Sequence, residues 1–457
     1  MSAERRILHL DMDAYFAALE VQACPALAGR PVVVGALPAS RGVVASASYP
    51  AREFGIRAGM PAAQARRLCP QAEFVPCHPA LYIHTSRRLL QHLLAITPQV
   101  EMFSIDEAFL DITDVRPNGT PRGKGGWQGV DRFAREIAAS IEARFGLTCS
   151  IGVGPNRAIA KMAAKLEKPR GVTLLGETAF RRLFWPKPVG QLYGVGPRTE
   201  AGLMLYGIET IGDLAETPRS LLARRFGLYG EALHALAWGR DDTPVTPSHQ
   251  APAAKSLGHE HTLAEDIESP QTGLQLLLAL AERVGCDVRR EGYAGRCVRL
   301  KLRFSDFSSI TRQRVMAVPS QETRDIYRVA KELFLGHYCG GGVRLLGLTL
   351  AELQPTGGRR QIGLFPEDRR YRELIDTLDG IREHYGDDSI QPAGALPDRR
   401  QTTRTATGAH APGVTNASES SRAMRAGRPG GAPGEVPSGE STEDSSAEQP
   451  RHAGRFV

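Results

Sequence analysis

Two adjacent carboxylates interrupt an otherwise apolar, strand-like run, Phe103-Ser104-Ile105-Asp106-Glu107-Ala108-Phe109-Leu110-Asp111. An ionised carboxylate is costly to bury unless a cation or hydrogen bonds compensate, so the pair is either a solvated hairpin tip or part of a metal site. A third acid lies 95 positions earlier (106 minus 11), at the end of Arg6-Ile7-Leu8-His9-Leu10-Asp11-Met12-Asp13. The strand period of two puts Leu8, Leu10 and Met12 on one face and Ile7, His9, Asp11 and Asp13 on the other. If folding gathers Asp11, Asp106 and Glu107, they repel one another unless cations join them. Two Mg²⁺ ions engaged in in-line phosphoryl transfer require such a cluster: one eases attack by a hydroxyl, and the other holds a triphosphate and the departing pyrophosphate.

The elements that must position these acids follow in order. Helical spacing of Phe16, Leu19 and Ala23 ends at Pro25, and Pro31 to Gly35 and Gly42 to Ala45 read as two short strands. Pro50 suits the first position of a helix, which puts Arg52 in its first turn. There it is either a solvated residue or, with the helix dipole, part of a phosphate site. Leu89, Leu90, Leu93 and Leu94 mark a helix leading to the acid pair, and Ala108 to Thr113 returns as a strand. Residues Arg116 to Gly129 read as a loop, and Phe133, Ile137, Ile141 and Phe145 as an amphipathic helix. A strand over Thr148 to Val153 and a helix over Arg157 to Leu166 complete the run. Strand, helix, hairpin, helix, strand predicts a ferredoxin-like βαββαβ sheet, in which the first strand neighbours the central hairpin strand. Asp11, Asp106 and Glu107 then meet at one end.

Further along, Leu192-Tyr193-Gly194-Val195-Gly196-Pro197 followed by Leu203 and Leu205 reads as a helix-hairpin-helix. Gly194 and Gly196 leave backbone amides open to a DNA phosphate. Residues 242–254 are proline-rich and read as a linker. Cys297 to Asp306 is the clearest strand, with Val298, Leu300, Leu302 and Phe304 facing a core and Arg299, Lys301 and Arg303 on the other side. From Arg283 to Arg314 there are nine Lys or Arg against three Asp or Glu, in a chain whose net charge is +7. That excess suits a phosphate backbone.

Length and composition fit a soluble protein of about three domains. No apolar run approaches a membrane span and no signal peptide is evident, so the expectation is a cytosolic monomer. Seven scattered cysteines without a CxxC pair read as reduced thiols. His259 and His261 are the nearest approach to a histidine metal spacing, and a weak one. Beyond Asp398 the composition is that of a disordered tail.

Leu10-Asp11-Met12-Asp13-Ala14-Tyr15-Phe16-Ala17-Ala18-Leu19-Glu20, Ser48-Tyr49-Pro50-Ala51-Arg52-Glu53-Phe54-Gly55, Phe103-Ser104-Ile105-Asp106-Glu107-Ala108 and Lys168-Pro169-Arg170-Gly171 closely resemble the motifs of Y-family translesion DNA polymerases, in the DinB branch. The resemblance runs from about Ile7 to about Leu353. It implies an α+β, multidomain right-hand polymerase with a ferredoxin-like palm (1–20 and 79–175), small fingers (21–78), a helical thumb (176–241), the linker and an α/β little finger (255–355). A clamp-binding motif and helix (356–397) and the tail (398–457) follow.

The resemblance also implies roles. Asp11, Asp106 and Glu107, with the Met12 carbonyl, would hold two Mg²⁺; Tyr49, Arg52 and Lys168 would hold the incoming dNTP. Phe16 would be the steric gate that rejects a ribose 2′-hydroxyl. Lys161 and Arg157 could approach DNA or phosphate, whereas Asp13, Asp111 and Asp114 read as structural or solvated. Gln361-Ile362-Gly363-Leu364-Phe365 resembles the QxxLF peptide that binds the bacterial sliding clamp, through Gln361, Leu364 and Phe365. Here 92 residues follow it (457 minus 365). The implied activity is low-fidelity, primer-dependent translesion synthesis without proofreading. An inactive clamp-bound adaptor could dispense with the acids, which are all present. A nucleotidyl cyclase would need neither the helix-hairpin-helix nor the basic strand.

Overall fold

The computed structural model describes residues 5–38, 40–115, 126–250, 252–340, 342–357, 366–387 and 389–395. Elements run β1 (Ile7–Met12), α1 (Tyr15–Ala23), β2 (Val32–Gly35), β3 (Val44–Ala47), α2 (Tyr49–Glu53), α3 (Ala62–Leu68), β4 (Glu73–Val75) and α4 (Pro79–Leu94). Then come β5 (Val100–Met102), β6 (Glu107–Asp111), α5 (Gly126–Phe145), β7 (Cys149–Gly154), α6 (Arg157–Ala163) and β8 (Val172–Leu174).

The first sheet has the order β5-β6-β1-β7-β8, the expected ferredoxin-like arrangement with β8 added in parallel beyond β7. Leu8, Leu10 and Met12 join Leu89, Leu93, Ile137 and Ile141 in a core under α4 and α5, while Ile7 and Phe109 pack with Ala160 and Val245 on the opposite face. Both faces of β1 are therefore covered at its start. Helix α5 begins at Gly126, inside the stretch expected to be a loop, because Val130 and Ala134 extend the buried stripe of Ile137 and Ile141 by a further turn. A small sheet β3-β2-β4 lies between α1 and α4 in sequence, with its own core of Val33, Val44, Ile56 and Ala65.

Helices α7 (Glu177–Phe184), α8 (Pro197–Met204), α9 (Ile211–Glu216), α10 (Arg219–Phe226) and α11 (Leu228–Ala237) enclose Phe180, Leu203, Leu214 and Leu233. The first arm of the expected helix-hairpin-helix is only a 3₁₀ turn, Val189–Gln191, since Pro188 and Gly194 bracket a segment too short for an α-helix. The second sheet is β11-β10-β12-β9, from β9 (Ser256–Ile267), β10 (Tyr293–Phe304), β11 (Ser309–Ser320) and β12 (Val343–Ala351). Leu277, Val284, Ile326 and Phe334 of α12 (Pro270–Arg290) and α13 (Thr323–Leu335) cover its apolar face. Helix α14 (Pro366–Tyr385) follows.

The proline-rich linker departs from expectation. Its Val245 is buried, Thr246 N donates to Glu101 Oε2 at 2.8 Å, and Ser248 Oγ donates to Val100 O at 3.0 Å. The connector is thus hydrogen-bonded to β5, an edge strand whose polar groups need partners. Gln361, Leu364, Phe365 and the tail beyond Asp398 lie outside the described residues.

Candidate active site

Strand register brings the acids together. β1 and β6 are antiparallel with Asp11 opposite Glu107, so both side chains project from the same face, and Met12 N donates to Asp106 O at 3.0 Å. Helix α6 lies against this face because Gly152 leaves room for it: a Cβ there would stand 2.1 Å from Ala160 O. Asn156 caps the helix by accepting from Ile159 N at 3.0 Å.

That close approach delivers Lys161 to the acids. Its Nζ ion-pairs with Glu107 and lies 3.4 Å from His9 Nε2 and 4.5 Å from the Phe103 ring centre. Lys168 Nζ stands 2.5 Å from Asp11 Oδ1. Burial alone would raise the Glu107 carboxyl, but hydrogen bonding to His9 and the Lys161 charge outweigh it and bring it to about 2. The Ser104 hydroxyl at 2.5 Å and, less strongly, a backbone amide pull the Asp106 carboxyl down. Burial first, then the charges of Glu107 and Asp11, push it up to about 6.

With Asp11 and Glu107 drawn to lysines, no three His, Cys, Asp or Glu side chains among the described residues stand together as a ready metal cage. The donor set nevertheless suits a hard divalent cation: it is all oxygen, and Asp106 sits in a negative field with no lysine of its own.

Tyr49 opens α2, Pro50 is its second residue and Arg52 its fourth. The Arg52 guanidinium stacks over the Tyr49 ring at 4.7 Å, and its Nε donates to Ala47 O at 2.9 Å. Tyr49 Oη donates to Asp13 Oδ1 at 3.2 Å. Asp13 is buried and also accepts from Thr148 Oγ1 at 3.0 Å, Ser150 Oγ at 2.7 Å and Arg170 N at 2.9 Å. One carboxylate therefore ties the end of β1, helix α2, strand β7 and the loop carrying Lys168. Phe16, on α1, lies flat on Tyr82 of α4, with ring centres 4.2 Å apart and planes 9° apart.

The remaining candidates are distributed more widely. Gly194 has φ +95° and Gly196 meets no atom within 4 Å of an added Cβ, so this turn is open at Gly196. Arg299, Lys301 and Arg303 share the outer face of β10, where Arg299 Nε donates to Gln313 Oε1 at 3.2 Å and Lys301 pairs with Glu260 at 2.8 Å. Arg157 does not join them: it ion-pairs with Glu101 at 2.7 Å and donates to Pro244 O at 3.0 Å. Lys161 is likewise buried on Glu107 instead of reaching out for phosphate. Nor is the basic excess from Arg283 to Arg314 all on the open face, because Asp379 takes Arg289 at 2.6 Å, Asp387 takes Arg290 at 2.7 Å and Glu332 takes Arg314.

Residues 10–165 match the model of the impB/mucB/samB family, and residues 254–364 that of the impB/mucB/samB family C-terminal domain. A DNA polymerase IV of Desulfatibacillum aliphaticivorans is 37% identical over 399 residues, covering 86% of this chain and 98% of its own. One from Moorella thermoacetica is 39% identical over 400 residues, 87% of this chain and 97% of its own. A solved Y-family DNA polymerase chimera shares the fold, with a TM-score of 0.66 at 23% identity over 77% of this chain and 99% of its own. The chain belongs to the Y-family of translesion DNA polymerases, in the DNA polymerase IV branch.

Three residues of this polymerase escaped the sequence reading in whole or part. Asp13 was legible as structural, and the end of a strand beside Tyr49 gave no hint of four donors. Lys161 could be placed on a helix but not over β1, since helical spacing fixes a face and not its partner. Glu20 is buried although charged. Its signal was there: it follows Phe16 by one helical turn, on the same side of α1.

Proposed function

We propose that Asp11, Asp106 and Glu107, with the Met12 carbonyl, form the site at which this polymerase joins a dNTP to a primer 3′ end, working with two Mg²⁺ ions. Divalent metal dependence goes with the family; the identity and number of the ions are our proposal. The observation that carries it is the β1–β6 register, which sets Asp11 opposite Glu107 beside the raised Asp106 carboxyl. When bound, the ions would lower the barrier to attack by the primer hydroxyl and neutralise the triphosphate and pyrophosphate. The chain's own groups do the rest. Asp106, at about 6, is ready to exchange a proton for a cation near neutral pH. Lys168, which neutralises Asp11 in this structure, would transfer its charge to the triphosphate, joined there by Arg52 and the Tyr49 hydroxyl. Phe16, backed by Tyr82, would bar a 2′-hydroxyl.

The backbone around Gly194 and Gly196 and the side chains of Arg299, Lys301 and Arg303 would grip primer–template DNA without reading its sequence. Gln361, Leu364 and Phe365 would engage a sliding clamp, and the polymerase would act as a cytoplasmic monomer. No helix among the described residues is long and apolar enough to cross a membrane. In this reading the β5-β6-β1-β7-β8 sheet is the palm and the β11-β10-β12-β9 sheet the little finger. Extension of a primed template with Mg²⁺ tests the proposal. Wild-type protein extends the primer; failure to do so at any Mg²⁺ or Mn²⁺ concentration overturns it. Phe16→Ala should admit ribonucleotides, and unchanged sugar selection would remove Phe16 from the gate.

A further inference from the structure

The gate residue does not stand alone. Phe16 and Glu20 are one turn apart on α1, and His78 and Tyr82 are four residues apart across the start of α4, so two short ladders face each other. Their rungs touch. Phe16 stacks on Tyr82 at 4.2 Å, and the Tyr82 hydroxyl donates to Glu20 Oε1. His78 Nδ1 stands 2.8 Å from Glu20 Oε1 and 3.0 Å from Oε2. A third contact, Tyr15 Oη to Tyr82 O at 2.8 Å, fixes the tyrosine's backbone to α1 as well.

Glu20 is 4% exposed and Tyr82 2% exposed. A carboxylate so buried is expensive, and neither Lys nor Arg approaches it among the ion pairs of the described residues; its partners are the tyrosine hydroxyl and a histidine. The start of the sixteen-residue α4, where His78 is the N-cap, adds favourable potential. Both Tyr82 contacts restrict the same ring: the hydroxyl bond fixes its long axis and the stack its plane. The plane of Tyr82 in turn sets how far the Phe16 ring can retreat.

We propose that Glu20 is a positioning residue for sugar selection, holding Tyr82 by its hydroxyl so that the Phe16 ring cannot yield to a ribose 2′-hydroxyl. This rests on the reading of Phe16 as the gate. Glu20 touches neither nucleotide nor metal in this role; it acts through Tyr82. Loss of one buried hydrogen bond to a charged group corresponds to about a tenfold change in the ratio it supports.

The test compares kcat/KM for a dNTP with that for the matching rNTP, using the full chain on a primed template. Five variants are compared with wild type: Phe16→Ala, Glu20→Leu, Glu20→Gln, Tyr82→Phe and the Glu20→Leu/Tyr82→Phe double variant. Thermal unfolding of each separates selection from a failure to fold. Glu20→Leu and Tyr82→Phe should each lower discrimination about tenfold, mainly through an improved rNTP kcat/KM. The double variant should lose no more than either single one, because both break the same bond. Glu20→Gln, whose amide oxygen still accepts from the hydroxyl, should restore most of the discrimination. If Phe16→Ala relaxes selection while Glu20→Leu and Tyr82→Phe leave it intact, or if their losses add, the positioning role is wrong although the gate stands. If Phe16→Ala leaves selection unchanged, the gate itself fails and this inference with it. If Glu20→Leu does not fold, Tyr82→Phe and Glu20→Gln decide alone: unaltered discrimination in Tyr82→Phe, or a loss in Glu20→Gln equal to that in Tyr82→Phe, overturns the proposal.

Discussion

The two large sheets handle charge in opposite ways. The first sheet concentrates acids at one end of β1 and β6 and meets them with single, partly buried lysines, Lys168 on Asp11 and Lys161 on Glu107. The second sheet spreads Arg299, Lys301 and Arg303 along an open face, two strand positions apart, where water screens them. One arrangement gives few, strong, geometrically fixed interactions, which suits the proposed chemistry at a phosphorus atom. The other gives several weak ones, which in the proposed DNA-binding role would tolerate any base sequence and slide along a backbone. Local sequence composition blurred the contrast, because several basic residues of the stretch from Arg283 to Arg314, namely Arg289, Arg290 and Arg314, are paired with acids of the same chain.

Substitutions at the two sheets should therefore differ in kind as well as size. Asp106→Ala removes a carboxylate that no lysine replaces, and should lower primer extension at least about a thousandfold, since transition-state charge stabilisation of this type amounts to several kcal/mol. Its DNA affinity should stay near wild type in a binding titration. Retained extension would place the chemistry elsewhere.

Next in size is an internal ion pair between α12 and α14, beside the second sheet. Asp379→Ala strands the buried Arg289 guanidinium, which in the native chain makes two bonds to Asp379, at 2.6 and 2.9 Å. A loss of about 3 kcal/mol is expected in denaturant unfolding, with salt dependence too small to restore it. An effect below about 1 kcal/mol would mean that α14 contributes little to this domain.

The smallest effects belong to the open face. Arg299→Ala and Arg303→Ala should each weaken DNA binding uniformly across sequences and reduce the slope of log K against log salt by about 0.9. Lys301→Ala should do less, because Glu260 already occupies that ammonium at 2.8 Å. Equal slopes for all three would show that DNA displaces Glu260 without penalty.

Much of this contrast was legible along the chain. Alternation in β10 separated Arg299, Lys301 and Arg303 from Val298, Leu300 and Leu302, and the order of elements was enough to place β1 beside β6. What stayed hidden depended on contacts between segments far apart. Lys161 could be assigned to a helix, but the Gly152 notch that seats this helix on β7 emerges only from packing. Arg289 looked like part of a basic surface until α14 supplied Asp379, ninety residues on. Tyr82 sat unremarked on a leucine-rich helix because a stacked partner leaves no periodic trace. The connector read as a spacer for the opposite reason, its prolines being conspicuous and its one buried valine, Val245, not.

That connector has a mechanical consequence. Since Thr246 and Ser248 are fastened to β5, the stretch joining β5 to the second sheet is only what lies between Ser248 and Ser256, where β9 starts. Seven intervening residues span at most about 25 Å. A connection of that reach holds the second sheet near the first at a high effective concentration. In the proposed role, DNA held by the basic sheet would thereby be presented to the acid cluster as an intramolecular neighbour.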